Sequence, residues 1–103
     1  MLKYIKWIFG GTGPNYAQLI KDGAVIVDVR SSDEYRHEHV KGSINIPVDV
    51  LNLSVSRLPD KSKPIITCCA SGIRSAYAKA ILKANGYLEV YNAGRWNSLQ
   101  DKV

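Results

Sequence analysis

The chain of 103 residues has the composition of an ordinary folded domain. It is 46% hydrophobic and 22% charged, which argues against disorder. Its length predicts one domain, and no apolar run is long enough to predict a membrane span. The net charge of +5 comes from basic residues scattered along the chain, so no basic stripe indicates nucleic-acid binding.

The beginning of the chain is set apart from the rest. We assign residues 1–14 to an N-terminal segment and residues 15–103 to the domain. Lysines interrupt the apolar residues of this segment, so it lacks the continuous apolar stretch of a secretory signal. A membrane-surface anchor and a short segment packed over the domain both fit its alternating basic and aromatic residues, and we favour the second.

The first half of the domain predicts two helical segments and two strands. Residues 16–20 place their apolar side chains on one helical face. An apolar run at 25–27, ended by Asp28, is typical of a short strand, and residues 33–37 predict a helical turn. Apolar residues alternate with polar ones at 44–46 and stop at Pro47, which indicates a second strand.

The second half continues the alternation. Apolar residues at spacings of three and four predict a helix over 48–58, and residues 64–69 predict a buried strand. Residues 74–85 form the clearest helix, apolar over most of its circumference and therefore expected to be largely covered. Gly86 is expected to cap that helix in a left-handed conformation.

A short strand at 90–91 and a final turn of helix at 96–100 complete the pattern. Strands that alternate with helices predict a parallel sheet with helices on both faces. In such sheets ligands bind beyond the carboxyl ends of the strands. The end of the strand at 64–69 is therefore where we expect a functional site.

Two neighbouring cysteines, Cys68 and Cys69, end that strand. They are too few for a disulfide framework or a structural zinc site, and free thiols favour a reducing compartment such as the cytoplasm. Neighbouring strand side chains face opposite ways, so one sulfur can face the following loop. We expect Cys68 to be the other one, packed in the core, with a resolving role as the alternative.

The loop after Cys69 contains small residues and leads directly into the predicted helix. Inward-facing N–H groups of such a loop bind anions, and the helix dipole adds partial positive charge. Both effects lower the pKa of a thiol and increase the fraction of nucleophilic thiolate. We predict that residues 70–73 turn several backbone N–H groups toward one point.

Residues 69–75, Cys-Ala-Ser-Gly-Ile-Arg-Ser, resemble the active-site loop of single-domain rhodaneses. That loop has six residues and begins with the catalytic cysteine, often with Gly fourth and Arg sixth. Residues 15–99 carry the rest of the resemblance, in Asp28-Val29-Arg30, Glu34-Tyr35, His39-Val40, Gly42-Ser43, Ile44-Asn45-Ile46-Pro47, Asn92, Gly94 and Trp96. The resemblance implies a three-layer α/β fold with a central parallel sheet of about five strands flanked by helices.

The resemblance also implies a sulfurtransferase that needs neither cofactor nor metal. The catalytic Cys69 would take sulfane sulfur from a small anionic donor such as thiosulfate, or from a persulfide, and pass it to cyanide or an acceptor thiol. The implied donor-binding residues are Ala70, Ser71, Gly72, Ile73, Arg74 and Ser75. The residues assigned to structural support are Asp28, Arg30, Glu34 and His39, the last as a hydrogen-bonded histidine.

Some of these residues have two interpretations. Arg74 either pairs with a carboxylate, such as Asp28 or Glu34, or holds the anionic donor. We expect Arg30 and Glu34 to form a structural ion pair. Ser75 either caps the helix, which we favour, or donates a hydrogen bond to the bound anion.

Two positions depart from the family pattern, and two other functions stay open. Ala70 stands where many thiosulfate-using members have Arg or Lys, and Glu38 stands where Gly is usual. Counted from Cys68, the spacing to Arg74 is that of cysteine phosphatases, some of which share the rhodanese fold. Rhodanese folds also occur as non-catalytic binding modules.

Overall fold

The computed structural model describes residues 13–103. The two interpretations of the N-terminal segment concern residues that lie almost wholly outside this range. No helix within residues 13–103 has the length and apolar character to cross a bilayer. The elements in chain order are α1 (Tyr16–Lys21), β1 (Val25–Asp28), α2 (Ser32–His37), β2 (Ile44–Asn45), α3 (Val48–Leu51), a 3-10 turn (Val55–Arg57), β3 (Ile65–Cys69), α4 (Ile73–Ala84), β4 (Val90–Arg95) and α5 (Trp96–Gln100).

The strands form one parallel sheet in the order β2-β1-β3-β4. The α/β fold with helices on both faces is confirmed, but the sheet of the described residues has four strands rather than about five. Four strands agree with the four apolar runs that the residues themselves predict. The number five came from the family resemblance alone.

Two apolar clusters divide the molecule into three layers. One face of the sheet packs against α3, the 3-10 turn and α4, through buried residues such as Leu51, Ala78 and Leu82. The opposite face packs against α1 and α5, through residues such as Leu19 and Leu99. We call these the α4 face and the α5 face. Each fully buried Leu contributes on the order of 1.5–3 kcal/mol, so both faces stabilise the fold.

The predicted helix at 48–58 is interrupted. Helix α3 ends at Leu51, and the chain continues through the 3-10 turn. The Ser54 hydroxyl donates a hydrogen bond of 2.8 Å to the Val50 carbonyl, which an α-helix would reserve for the Ser54 N–H. The Ser54 N–H instead bonds the Leu51 carbonyl, in a 3-10 pattern. The apolar spacing nevertheless identified core residues correctly, because Leu51 and Leu58 are both buried.

Helix α4 matches its prediction in extent but not in burial. Its buried residues are Ser75, Ala78 and Leu82, whereas Ile73 and Tyr77 are each 67% exposed. The expectation of a largely covered helix is therefore wrong, because α4 lies at the surface and packs only through its inner side. Its end is as predicted, since Gly86 has a left-handed φ of 91°.

Candidate active site

Strand β3 brings Cys69 to the carboxyl edge of the sheet, and the chain then turns into α4. Gly72 precedes the first residue of α4 and has a left-handed φ of 101°. A Cβ at this position would meet the Gly94 Cα at 3.6 Å. The turn thus favours glycine mainly through its backbone conformation, which side chains disfavour.

The turn directs backbone N–H groups at the Cys69 sulfur. The Gly72 N–H donates to Sγ at 3.0 Å and the Ser75 N–H at 3.3 Å, while the Ser75 Oγ lies 3.4 Å from Sγ. Burial alone would raise the pKa of the Cys69 thiol, but hydrogen bonds from Ser75, Gly72 and Ser71 outweigh it and hold the pKa below its usual range. Of the residues 70–73 predicted to turn their N–H groups inward, Gly72 directs its N–H at the sulfur, and Ser75 adds a second from the first turn of α4.

Cys68 lies in the opposite environment. Its side chain packs on the α5 face with residues such as Ile66 and Leu99. Burial, and secondly the neighbouring Asp28 carboxylate, raise the pKa of the Cys68 thiol to about 12. This position agrees with the prediction of a packed core thiol. A phosphatase would need the Cys68 sulfur to face the loop before α4, and it faces the opposite way.

Arg74 is bound to a carboxylate. Its Nη1 and Nη2 donate to the two carboxylate oxygens of Glu34 at 2.7 Å and 3.0 Å. Glu34 also accepts a hydrogen bond from the Ser31 N–H in the capping box of α2. The Arg74 hydrogen bond is the main reason that the pKa of Glu34 falls to about 2. Of the two interpretations of Arg74, the structure shows the ion pair.

Arg30 has a different partner from the one expected. It makes several hydrogen bonds to the buried Asp28 carboxylate, one of them 2.7 Å long from Nη2, and it donates to the Glu38 carbonyl. The guanidinium carbon of Arg30 lies 4.7 Å from the centroid of the Trp96 ring. The predicted Arg30–Glu34 pair is wrong, because Arg30 reaches Asp28 two residues away while Glu34 reaches across to Arg74.

His39 is hydrogen-bonded and stacked against Tyr35. Its Nδ1 lies 2.6 Å from the Tyr35 carbonyl oxygen, and its ring stacks on the Tyr35 ring with centroids 3.8 Å apart. The Tyr35 hydroxyl donates to the Ser43 carbonyl. These contacts join α2 to the approach of β2.

Ser75 is not the cap of α4, because Gly72 occupies that position and Ser75 lies within the first turn. Its buried hydroxyl lies 2.6 Å from Asn92 Oδ1. Asn92 belongs to β4, and sequence reasoning missed it as a site residue. Its only signal was membership of the weak C-terminal motif, which says nothing of a contact with Ser75.

The remaining loop residues differ in exposure. Ala70 and Ser71 are exposed, as is Ile73, so the rim of the loop faces solvent while Cys69 and Ser75 lie beneath it. The site therefore joins the thiol, the loop and Ser75 in one place. Asp28 and Arg30 bind each other, and His39 contacts Tyr35.

Comparison with known proteins assigns the family. The profile of the rhodanese-like domain matches residues 14–96. The thiosulfate sulfurtransferase PspE of Escherichia coli K12 is 42% identical over 69 residues, which cover 66% of this chain and 66% of PspE.

Two solved structures agree. A structure described as rhodanese with anions from E. coli has a TM-score of 0.68 and 37% identity, and covers 73% of this chain and 89% of its own. The human single-domain sulfurtransferase TSTD1 has a TM-score of 0.72 and 25% identity, and covers 85% of this chain and 91% of its own. This chain belongs to the rhodanese-like domain family.

Proposed function

We propose that the protein is a thiosulfate or persulfide sulfurtransferase in which Cys69 carries the transferred sulfur. The observation that carries the proposal is the thiol at the end of β3, with two N–H groups on its sulfur and a pKa below the usual range. PspE, to which this chain is similar, is a thiosulfate sulfurtransferase, and its activity supports the same assignment.

The reaction has two balanced steps. The Cys69 thiolate attacks the outer sulfur of thiosulfate, the S–S bond of thiosulfate breaks, and sulfite leaves with the bonding electrons. An acceptor thiolate or cyanide then attacks the outer sulfur of the Cys69 persulfide, and the Cys69 thiolate leaves. The enzyme ends as it began, so no external oxidant or reductant is required.

The loop contributes electrostatic stabilisation. Its N–H groups and the N-terminal end of α4 favour negative charge on the sulfur that is attacked or displaced. We assign the donor contacts to Ala70, Ser71, Gly72, Ile73, Arg74 and Ser75. The pair with Glu34 uses two of the Arg74 N–H groups and offsets its charge, so the carboxylate competes with an anionic donor for the guanidinium.

Persulfide formation tests the proposal. We expect incubation with thiosulfate, or with a low-molecular-weight persulfide, to add about 32 Da, the mass of one sulfur atom, and peptide mapping to locate it on Cys69. No adduct with either donor would overturn the proposal in favour of a non-catalytic binding module. Hydrolysis of an aryl phosphate that depends on Cys68 would overturn it in favour of a phosphatase.

We also propose a reducing compartment, such as the cytoplasm, for this chemistry. Both cysteines are free thiols. Free thiols persist more readily in a reducing compartment, where disulfides are rare. Localisation of a tagged full chain by fractionation tests this assignment, and recovery from an oxidising compartment would contradict it.

A further inference from the structure

The hydroxyl of Ser75 has one proton and three neighbouring acceptor atoms. Asn92 Oδ1 lies at 2.6 Å, the Gly72 carbonyl oxygen at 3.1 Å and the Cys69 sulfur at 3.4 Å. A hydroxyl donates only one hydrogen bond at a time. These three atoms therefore compete for the proton, and the shortest contact is the one with Asn92.

The orientation of the Asn92 amide is fixed from its other side. The Gly94 N–H donates to Asn92 Oδ1 at 2.9 Å, and an N–H group requires an oxygen there rather than the amide NH₂. The same oxygen consequently faces Ser75 and must receive the Ser75 proton. The lone pairs of the Ser75 oxygen are then left for the S–H of Cys69.

From this chain of contacts we propose that Asn92 is a positioning residue that holds the Ser75 hydroxyl proton away from the Cys69 sulfur. Ser75 then accepts from the Cys69 thiol and donates to Asn92. When the thiolate forms, its sulfur can only accept, and the Ser75 proton reaches it only by leaving Asn92. Asn92 thus limits how far Ser75 stabilises the thiolate.

The consequence for sulfur transfer rests on the proposed function. A thiolate that is stabilised more strongly is present in a larger fraction but is a weaker nucleophile, and the best attacking thiol has a pKa near the ambient pH. The loop N–H groups lower the pKa of Cys69, and Asn92 opposes a further decrease. Together the two effects give Cys69 a substantial thiolate fraction without making the thiolate a weak nucleophile.

Arg95 on β4 lies opposite Cys69 in the register of the sheet, and two further arginines near the site are held by carboxylates. Arg74 is paired with Glu34 beside the loop, and Arg30 is paired with Asp28 on β1. Cys68 lies on the opposite face of β3. A change at Asn92 alters none of these charges, so its effect on Cys69 can be measured against a constant background.

The test is a thiol titration in a Cys68→Ser background, followed by ultraviolet thiolate absorbance. Asn92→Leu removes the competing oxygen, so we expect the pKa of Cys69 to fall by about 0.4–1 pH unit, the equivalent of one hydrogen bond. Asn92→Asp keeps an acceptor for both Ser75 and Gly94 and adds negative charge, so we expect the pKa to rise. The two shifts have opposite signs.

Ser75→Ala supplies the control. It removes the hydroxyl, so Asn92→Leu should cause no fall of the Cys69 pKa in its presence, because no hydroxyl proton is left to redirect. An unchanged pKa in Asn92→Leu, or the same fall with and without Ser75, would overturn the proposal. If Asn92→Leu does not fold, a fall of the pKa in Asn92→Asp would overturn it equally.

The titration needs no sulfur donor, so it separates the two proposals. The expected shifts without any persulfide on Cys69 would leave the proton assignment standing and reject the sulfurtransferase. A persulfide on Cys69 without the shifts would reject the role of Asn92 alone.

Discussion

Cys68 and Cys69 are neighbours on β3, and each has an exposed fraction of 0%. On the α5 face, Cys68 is surrounded by apolar side chains and the Asp28 carboxylate, and its pKa rises. On the α4 face, the chain turns back over Cys69 and offers N–H groups to its sulfur, and its pKa falls. Equal burial thus gives opposite chemistry, and the donors around the sulfur decide which.

The largest expected difference between the two faces is in activity. We expect Cys69→Ser to reduce sulfur transfer from thiosulfate to cyanide by at least about 10³-fold, because the nucleophile is lost. Cys68→Ser should keep most of the activity, since its sulfur does not face the loop. Thiocyanate formation measures both. Comparable losses in the two variants would remove the distinction.

The second difference is in titration. With Cys68 replaced by Ser, the remaining Cys69 should lose its proton below the ordinary thiol pKa of 9.0, and activity should rise with pH through that lower pKa. With Cys69 replaced, Cys68 should titrate near 12. In denaturing urea both thiols should titrate alike. A Cys69 thiol that titrates above 9.0 in the folded protein would contradict the geometry.

The third difference is in stability, and it concerns the buried ion pair on the α5 face. Arg30→Leu leaves the Asp28 carboxylate buried without its partner, and we expect a loss of about 3–5 kcal/mol in the free energy of unfolding, measured in urea. Adding Asp28→Asn should recover part of it. Activity per folded molecule should change little. A loss below about 1 kcal/mol would mean that solvent replaces Arg30.

The smallest expected effect is at the half-exposed ion pair near the loop. Glu34→Gln should cost at most about 1 kcal/mol of stability, because solvent screens the Arg74–Glu34 pair. By freeing Arg74 it should lower the KM for thiosulfate about two- to fivefold. Arg74→Ala is the matched control and should weaken turnover with thiosulfate more than with an uncharged donor. Equal effects on both donors would leave Arg74 a structural role only.

The same ion pair has a defined pH dependence. The pKa of Glu34 is about 2 in the folded protein, below its ordinary value of 4.5. The stability that the pair contributes is therefore complete above about pH 4.5 and is lost as the pH falls toward 2. Glu34→Gln should remove this part of the acid dependence of unfolding.

Local patterns predicted most of the fold. Strand β3, helix α4 with its Gly86 cap, and the turn of helix at α5 follow from apolar spacing and from residues with strong backbone preferences. The helix predicted over 48–58 ends at Leu51, and the Ser54 hydroxyl bonds the Val50 carbonyl that a continued helix would pair with the Ser54 N–H. Apolar periodicity does not register that competition.

Pairings between distant residues were harder to predict. The glutamate at 34 binds an arginine 40 residues away, and Asn92 reaches Ser75 from the neighbouring strand. Both contacts depend on which helices and strands the fold places side by side, and neither has a fixed spacing in sequence. The sequence therefore identified the catalytic candidate Cys69 but assigned Arg30 and Glu34 to each other and overlooked Asn92.

The full burial of Cys69 has a consequence for the regiochemistry of sulfur delivery. A persulfide offers two electrophilic sulfurs, and attack on the inner one would release hydrosulfide and trap the enzyme as a mixed disulfide with its acceptor. The outer sulfur stands one S–S bond, about 2.05 Å, beyond the inner one. Because the protein shields the inner sulfur, an incoming thiol meets the outer sulfur first, and productive transfer is favoured over a dead end.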